Sequence, residues 1–592
     1  MPAKPIVVFD GRCGFCRIWI DYWKQLTGDS LDYAPFQEVS ANFPEVSLEQ
    51  FQQAVQLILP SGQVLPGARA VFATLSYAGV GWLTWFYDRV PGFAPASEAT
   101  YRLIAAHRNF FYQVTRFTFG RRVAPLRYAR VEWLFLRALA LIYFCAFASL
   151  AVQITGLVGA RGILPAGHFL AEARKLLGAR AYWMAPGVFW LASSDVILRA
   201  FCWTGAAISL VLLFGRLERL ALVCLYVLYL SLSTMGQNFL SYQWDALLLE
   251  AGFLAIFLGG SKWVVFLFRW LLFRLMFLSG AVKLMSHDAS WRDLSAMSFH
   301  YLTQPLPTPL AWYMYQLPIG FQRASTAMVF FIELAVVFLI LGPRVWRRIA
   351  APVLLVFQAL IFLTGNYAFF NLLAMSLCLF LLDDAMLERL PLGARKKRTH
   401  PVLAKVLAAV ILLLSGVEMW GMFAGRAEAP SFMVELIAPF GIVNTYGLFA
   451  VMTTERDEII VEGSNDGSTW LDYEFPYKPG DLARAPRWVA PYQPRLDWQM
   501  WFAALSGYRS EPWFVNFMVR LLQNSPDVTG LLSKNPFPAS APKYVRALLF
   551  DYSFTNFAER RQSGHWWKRR PRGIYLRPIS LQDVALVPGV AR

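Results

Sequence analysis

Between residues 133 and 423 the chain alternates apolar runs with connections that carry arginine or lysine. Nine runs come near the ~20 residues a helix needs to cross a hydrocarbon layer. They fall at about 133–157, 196–214, 217–235, 244–259, 262–284, 324–341, 346–364, 367–383 and 402–423, the fourth and eighth being short. Only 16% of the residues are charged and 57% are hydrophobic, where soluble domains run at about 25% charged. A water-facing surface cannot be covered with so few charges. The apolar excess stops at both flanks, which read as ordinary soluble sequence. The pattern predicts a multi-pass α-helical membrane protein of about nine spans. Three domains follow: a soluble domain at 1–120, the membrane block at 121–423, and a second, β-rich soluble domain at 424–592.

The net charge of +17 does not point to nucleic acid, because many of the basic residues flank apolar runs. Examples are Arg121, Arg122, Arg127 and Arg130, or Arg395 to Arg398, and no zinc-finger or RNA-binding motif accompanies them. With the N-terminus inside, the inner connections carry Arg216 and Arg219, Lys262, Arg344 with Arg347 and Arg348, and Arg395 with Lys396, Lys397 and Arg398. The outer connections GQNFLSYQ and TGNYAF carry none, and the arginines of the long loop at 158–195 run against the trend. An odd number of spans then places the C-terminal domain outside. The opening MPAKPIVVF is too short for a signal-peptide core and breaks at Asp10-Gly11, which predicts a cytoplasmic N-terminal domain.

Six cysteines occur, and four of them (Cys145, Cys202, Cys224, Cys378) are isolated in apolar runs, so no disulfide framework is expected. Cys13 and Cys16 differ. In the N-terminal domain Ile6-Val7-Val8-Phe9 reads as a strand, Asp10-Gly11 as a turn and CRIWIDYWKQL as an amphipathic helix. Further on, QAVQLILPSGQVLPG reads as a hairpin turning at Ser61-Gly62. The pair Cys13-x-x-Cys16 thus sits at a helix N-terminus, where unpaired N–H groups and the helix dipole favour thiolate, with Arg12 and Arg17 adding positive charge. Two intervening residues suit an intramolecular disulfide, so Cys13 is placed to attack a substrate and Cys16 to resolve it. Half a zinc site or an incidental pair are the other readings, but no second CxxC or His-x-His completes tetrahedral zinc, and no metal or cofactor is expected.

The motif Asp10-Gly11-x-Cys13-x-x-Cys16, with Gly67 and Ala70 downstream, resembles the DCC family of thioredoxin-like proteins over residues 5–115. The resemblance implies a thioredoxin fold, thiol-disulfide oxidoreductase activity and a thiol redox partner. One departure is that the proline thioredoxins set opposite the cysteine pair is not placed by the sequence.

Within the membrane block Arg137, Asp245, Glu250, Arg269, Arg274, Lys283, Glu333, Asn371 and Glu418 are polar where lipid penalises polarity. Each reads as a functional candidate, a snorkelling side chain, or half of an interhelical pair such as Glu250 with an arginine. Lys283 follows a Ser-Gly-Ala patch that lets helices approach closely, and a lysine so desolvated can act as a base. Its setting, LFRLMFLSGAVKLMSHDASWRDL, resembles the membrane (HTTM) domain of vitamin K-dependent carboxylase, which implies a similar helical bundle and a catalytic lysine.

In the C-terminal domain EIIVEGSNDGSTWLDYEF reads as two strands turning at Asn465-Asp466-Gly467, YVRALLFDYSF as another strand, and WQMWFAALS and WFVNFMVRLLQN as helices. Its aromatic residues, Trp488, Tyr492, Trp498 and Trp501 with Trp513, Trp566 and Trp567, are of the type that dominates binding hot spots, or form a packed core. Arg495 and Asp497 lie among them, and Trp488, Tyr492, Arg495, Asp497, Trp498 and Trp501 are the client-binding candidates.

The longest resemblance is to the lipase maturation factor family. It is carried by QITGLVGARGILPA, FLSYQWDALLLEAGFLAIFL, SWRDLSAMSFHYLTQPLPTPLAWY, NTYGLFAVMT, VEGSNDGSTWLDYEFPYKPGDLARAP and VAPYQPRLDWQMWFAAL, in family order across residues 130–570. It implies a membrane-anchored, chaperone-like maturation factor whose exported face engages a secreted client, with lipases the first candidates. Animal members of the family look like endoplasmic reticulum proteins, and they lack the DCC-like domain. The fusion therefore predicts a bacterial inner-membrane protein with a periplasmic C-terminal domain. Two alternatives remain: a membrane-embedded enzyme acting on a client or lipid with Lys283 as base, and a membrane-anchored thiol oxidoreductase. No Gly-x-Ser-x-Gly or His-Glu-x-x-His motif marks a lipase or metalloprotease.

Overall fold

The structure, a computed structural model, describes residues 2–120, 123, 126–395, 400–424 and 431–584. Of the basic clusters named above, Arg121, Arg122, Lys396, Lys397 and Arg398 lie outside the described residues. The chain divides into two compact units, Met1–Arg127 with Gly342–Ile349, and Tyr128–Leu341 with Ala350–Arg592.

In the first unit β1 (Ile6–Phe9) leads into α1 (Gly14–Thr27), and β2 (Asp32–Pro35) lies parallel to β1. β3 (Gln56–Ile58) and β4 (Val64–Pro66) form the expected hairpin, turning through Gly62 at φ +83°. The strand order β2-β1-β3-β4, with α2 (Gly67–Ser76) following β4, is a thioredoxin-like sheet. Burial drives it: Val7 and Phe9 of β1, Ile20 of α1, Leu57 of β3 and Ala70 of α2 close on one face.

In the second unit the expected spans resolve into long and short helices. The long ones are α3 (Ala129–Ala151), α4 (Asp195–Leu213), α5 (Glu218–Gly236), α7 (Lys262–Met285), α8 (Ile319–Leu334), α9 (Arg344–Thr364), part of which falls in the first unit, and α11 (Pro401–Ala424). Counting the short helical extensions of α5 and α8, seven helices among the described residues are long and apolar enough to cross a membrane. The segments expected at 244–259 and 367–383 are shorter, α6 (Gln243–Ile256) and α10 (Phe370–Cys378). The 14 residues of α6 extend about 21 Å, less than the hydrocarbon layer. Most of both helices is buried in protein, so their apolar character reflects a helix core rather than a lipid-facing wall.

One end of the bundle is closed by polar capping. Asp384 accepts from the backbone N–H groups of Ala129 and Arg130, both at 2.9 Å, and Glu132 accepts from the Gly260 N–H at 2.9 Å. Arg269 donates to the Phe380 carbonyl at 2.8 Å and to the Tyr128 hydroxyl at 2.7 Å.

The C-terminal segment builds an antiparallel sheet from β5 (Arg456–Ser464), β6 (Leu471–Tyr473), β7 (Tyr544–Phe554) and β8 (Trp567–Ile579), in the order β6-β5-β7-β8. The β5–β6 turn is the expected one, with Asp466 accepting from the N–H groups of Ser468 and Thr469 at 2.8 and 2.7 Å. Helices α12 (Arg495–Ala504) and α13 (Pro512–Leu522) complete the segment.

This segment is joined to the bundle by buried polar contacts. Arg495 forks onto Asp245 of α6, Nη1 to Oδ2 at 3.0 Å and Nη2 to Oδ1 at 2.9 Å, and Nη1 also reaches the Phe239 carbonyl at 2.6 Å. Both side chains are 1% exposed, and the Tyr229 hydroxyl donates to the same carboxylate. Beside them the Gln493 carbonyl accepts from Gln153 at 2.8 Å, and its Oε1 accepts from the Trp244 indole at 2.8 Å. A second junction gathers on Glu250. It pairs with Arg274 and accepts from the Tyr446 hydroxyl at 2.8 Å and the Asn444 N–H at 3.1 Å. At a third, Arg456 of β5 donates to the carbonyls of Leu302 at 2.6 Å and Pro305 at 2.8 Å. At a fourth, Asn366 accepts from the N–H groups of Val489 and Ala490 at 2.7 and 3.0 Å.

Removing one partner of a buried ion pair strands the other charge, at about 3–5 kcal/mol. Arg495→Ala is therefore expected to lower the thermal stability of the detergent-solubilised protein strongly. Arg495→Met combined with Asp245→Leu is expected to recover most of the loss. Equal stability of Arg495→Ala and the parent would contradict the junction.

Candidate functional site

The CxxC lies where strand gives way to helix. Cys13 is the N-cap of α1, and its Sγ accepts from the Cys16 N–H at 3.3 Å. Asp10 shapes the approach: its Oδ1 accepts from the Arg12 N–H at 3.0 Å and from Gln37 Nε2 at 2.7 Å, while Gln37 Oε1 accepts from the Gly11 N–H at 3.1 Å. Gly11 is required sterically, since a Cβ there would stand 2.7 Å from Pro35 Cβ. Hydrogen bonding to Cys16, the backbone N–H groups and the nearby Arg108 together hold the Cys13 thiol down at about 6. The bond to Cys13 and burial push the Cys16 thiol up. Both thiols are half-buried, Cys13 acidic and Cys16 reluctant to ionise. Arg108, 3.8 Å from Asp10, supplies the positive charge that Arg12 and Arg17 were expected to provide. No local signal marks it, because it arrives from a helix far along the chain. A cavity of about 300 Å³ opens beside Cys16, walled by Trp19, Trp23, Phe51, Tyr101 and Arg108. Ala54 and Val55, not a proline, also line it.

A larger cavity, about 620 Å³, lies in the second unit where the bundle meets the C-terminal segment. Its walls are mostly apolar, with Trp244, Tyr367, Phe449, Trp498 and Trp501 among them, and Lys283 and Glu333 also line it. Lys283 Nζ stands 2.7 Å from Glu333 Oε2, donates to the Ser279 carbonyl at 3.1 Å and lies over the Trp291 ring at 5.3 Å. The small patch before it acts as expected, since a Cβ on Gly280 would stand 2.8 Å from Glu333 Cβ. The amine is thus held as a donor in a closed set of partners.

The client-binding candidates divide. Trp488 is exposed, at 58%, and Tyr492 is half-buried. Arg495, Asp497, Trp498 and Trp501, expected on a client-facing surface, are buried instead. Arg495 is spent on Asp245; Asp497 accepts from the N–H groups of Tyr477 and Lys478, both at 2.8 Å; Trp501 donates to the Thr303 carbonyl at 2.8 Å. Burial raises the Asp497 carboxyl to about 6. Trp513 and Trp567 are core residues too. The packed-core reading holds for these aromatics because α12 is packed between the bundle and the rest of the C-terminal segment rather than facing water. The apolar groups exposed at the cavity lining are Val451, Phe502 and Leu505, which the aromatic pattern did not single out. Among the described residues no cluster of three metal-ligating side chains occurs.

Family models match in three stretches: the DCC1-like thiol-disulfide oxidoreductase at 7–114, the lipase maturation factor transmembrane domain at 130–389, and the lipase maturation factor C-terminal domain at 442–577. Lipase maturation factor 1 of Bos taurus is 36% identical, over 78% of this chain and 92% of its own length. Lipase maturation factor 2 of Xenopus laevis is 35% identical, over 76% of this chain and 82% of its own. The human lipase maturation factor 2 is 33% identical, over 76% and 83%. These relatives are animal proteins and do not bear out the bacterial source expected from the domain fusion. No solved structure matches the chain.

Because the Cys13 thiol is held near 6 rather than 9.0, its alkylation rate should rise with pH to half its maximum near pH 6. Cys16→Ala removes the largest cause and is expected to move that midpoint upward. A midpoint near the ordinary thiol value in the parent would contradict the geometry.

Proposed function

Since this chain belongs to the lipase maturation factor family, we propose that it is a multi-pass membrane protein that brings secreted lipases to their active state. The observation that carries the reading is the continuity of the match across the bundle and the C-terminal segment, the parts that the buried junctions at Asp245, Glu250 and Arg456 hold together. A factor of this kind offers a client a preorganised surface, so binding spends little on ordering it. The reading places client contact at the exposed apolar groups Val451, Phe502 and Leu505, with Trp488 as a further aromatic anchor. The DCC1-like domain adds a thiol-disulfide oxidoreductase with Cys13 as attacking thiol, which implies a redox partner.

The proposed orientation has the N-terminal domain in the cytoplasm and the C-terminal segment on the exported side. It is supported by the basic residues Arg216, Arg219, Lys262 and Arg395 on alternate connections. In that orientation the Cys13 thiol serves a cytoplasmic redox partner.

A second reading is favoured by the apolar cavity that Lys283 helps to line: a membrane-embedded enzyme that uses this lysine on a lipid or client. One experiment separates the readings. A secreted lipase is co-expressed with the intact protein, with no copy of it, with Cys13→Ser, or with Lys283→Met plus Glu333→Leu, and lipase activity is measured per mass of lipase. Specific activity is expected to fall without the protein and to survive Cys13→Ser. The paired replacement removes both buried charges together and is expected to retain folding and activity. Unchanged lipase activity without the protein would contradict the maturation role. A folded but inactive Lys283→Met/Glu333→Leu protein would support the enzyme.

A further inference from the structure

At the ends of α3, α4 and α5 the bundle carries an open polar pocket of about 580 Å³. Its lining comes from the start of α3 (Trp133 and Arg137), the turn between α4 and α5 with the first residues of α5 (Gly215 to Leu220), and the approach to α11 (Ala394 and Arg395). Its charge is unbalanced. Glu218 is shared by two guanidinium groups, Oε1 at 3.1 Å from Arg137 Nη1 and Oε2 at 2.8 Å from Arg395 Nε. Arg219 lines the same space.

Arg395 is the informative residue. Its side chain is only 4% exposed, yet Nη1 and Nη2 are buried with no hydrogen-bond partner among the described residues. Buried donors on a cation are expensive to leave unmatched, because they have given up water without gaining a partner. The backbone fixes the side chain in place, because the Arg395 N–H donates to the Ala129 carbonyl at 3.0 Å. Arg137 is steadied by the Trp133 ring, 4.9 Å below its guanidinium. Two glycines leave room for this pair. A Cβ on Gly215 would stand 2.3 Å from Arg137 Nη2, and one on Gly393 would stand 2.6 Å from Trp133 Nε1.

A guanidinium fork with two free donors matches a tetrahedral oxyanion, and phosphate above all. The pocket lies where three membrane-crossing helices end, the depth at which lipid headgroups sit. We propose that this pocket binds the phosphate of an anionic phospholipid, with Arg395 as the fork and Arg137 as the second cation. Glu218 then sets the two guanidinium groups apart and leaves net positive charge for the ligand. A zwitterionic lipid brings its own cation to a site that already has an excess, and binds less well. Inorganic phosphate offers the same oxygens without the acyl chains that the flanking helices can hold.

The test uses the full-length protein in mild detergent, with thermal unfolding as the readout. The probes are phosphatidylglycerol, phosphatidylcholine and inorganic phosphate. Phosphatidylglycerol is expected to raise the midpoint by several degrees, and phosphatidylcholine to raise it less. Arg395→Gln should remove most of that rise. Arg395→Lys, which keeps the charge but loses the fork, should remove part of it and serves if the glutamine variant does not fold. A rise with inorganic phosphate that Arg395→Gln abolishes would support the phosphate site with a soluble source. A phosphatidylglycerol effect unchanged in both variants, or no rise with any probe, would overturn the proposal.

Discussion

Arg495 and Asp245 exchange two hydrogen bonds where neither side chain reaches water, and the one comes from α12 while the other comes from α6. Either charge alone in that position would cost several kcal/mol. The pair therefore specifies which surface of the C-terminal segment meets which surface of the bundle. Gln493, two residues earlier, extends the same contact to Ser149, Gln153 and Trp244. Glu250 with Arg274, Asn444 and Tyr446 repeats the device one turn further along α6. The short apolar helix α6 thus carries, in Asp245 and Glu250, the two carboxylates on which the C-terminal segment is seated.

Much of this architecture is legible in the sequence. The thioredoxin-like strands, the Ser61-Gly62 turn and the β5–β6 turn follow from alternating residues and from glycine or aspartate at fixed positions. The long spans follow from their length. What escaped depends on partners distant in the chain. Nothing local distinguishes Arg495 on a client surface from Arg495 inside the protein; its carboxylate lies about 250 residues earlier. The same holds for Arg108 beside the CxxC. β8 escaped for another reason. Its sequence, WKRRPRGIYLRPI, is basic and carries two prolines, which suits an exposed edge strand with register shifts but carries no strand alternation.

The polar residues of the membrane block show how function and registry compete for the same signal. Lys283 was conspicuous as an isolated amine in an apolar run, yet its donors are directed to Glu333 and the Ser279 carbonyl. Arg395 drew attention only as part of a basic cluster, yet two of its buried donors have no partner among the described residues. Burial and partner count, rather than residue type, separate the two cases.

The C-terminal segment and the membrane bundle form one folded body. Hydrogen exchange followed by mass spectrometry on the full-length protein in detergent, across a denaturant series, tests it most directly. Amides in 489–505 are expected to become exposed in the same opening event, at the same denaturant concentration, as those of α6 at 243–256. Exchange of 489–505 at much lower denaturant, with α6 still protected, would show a tethered domain and contradict it.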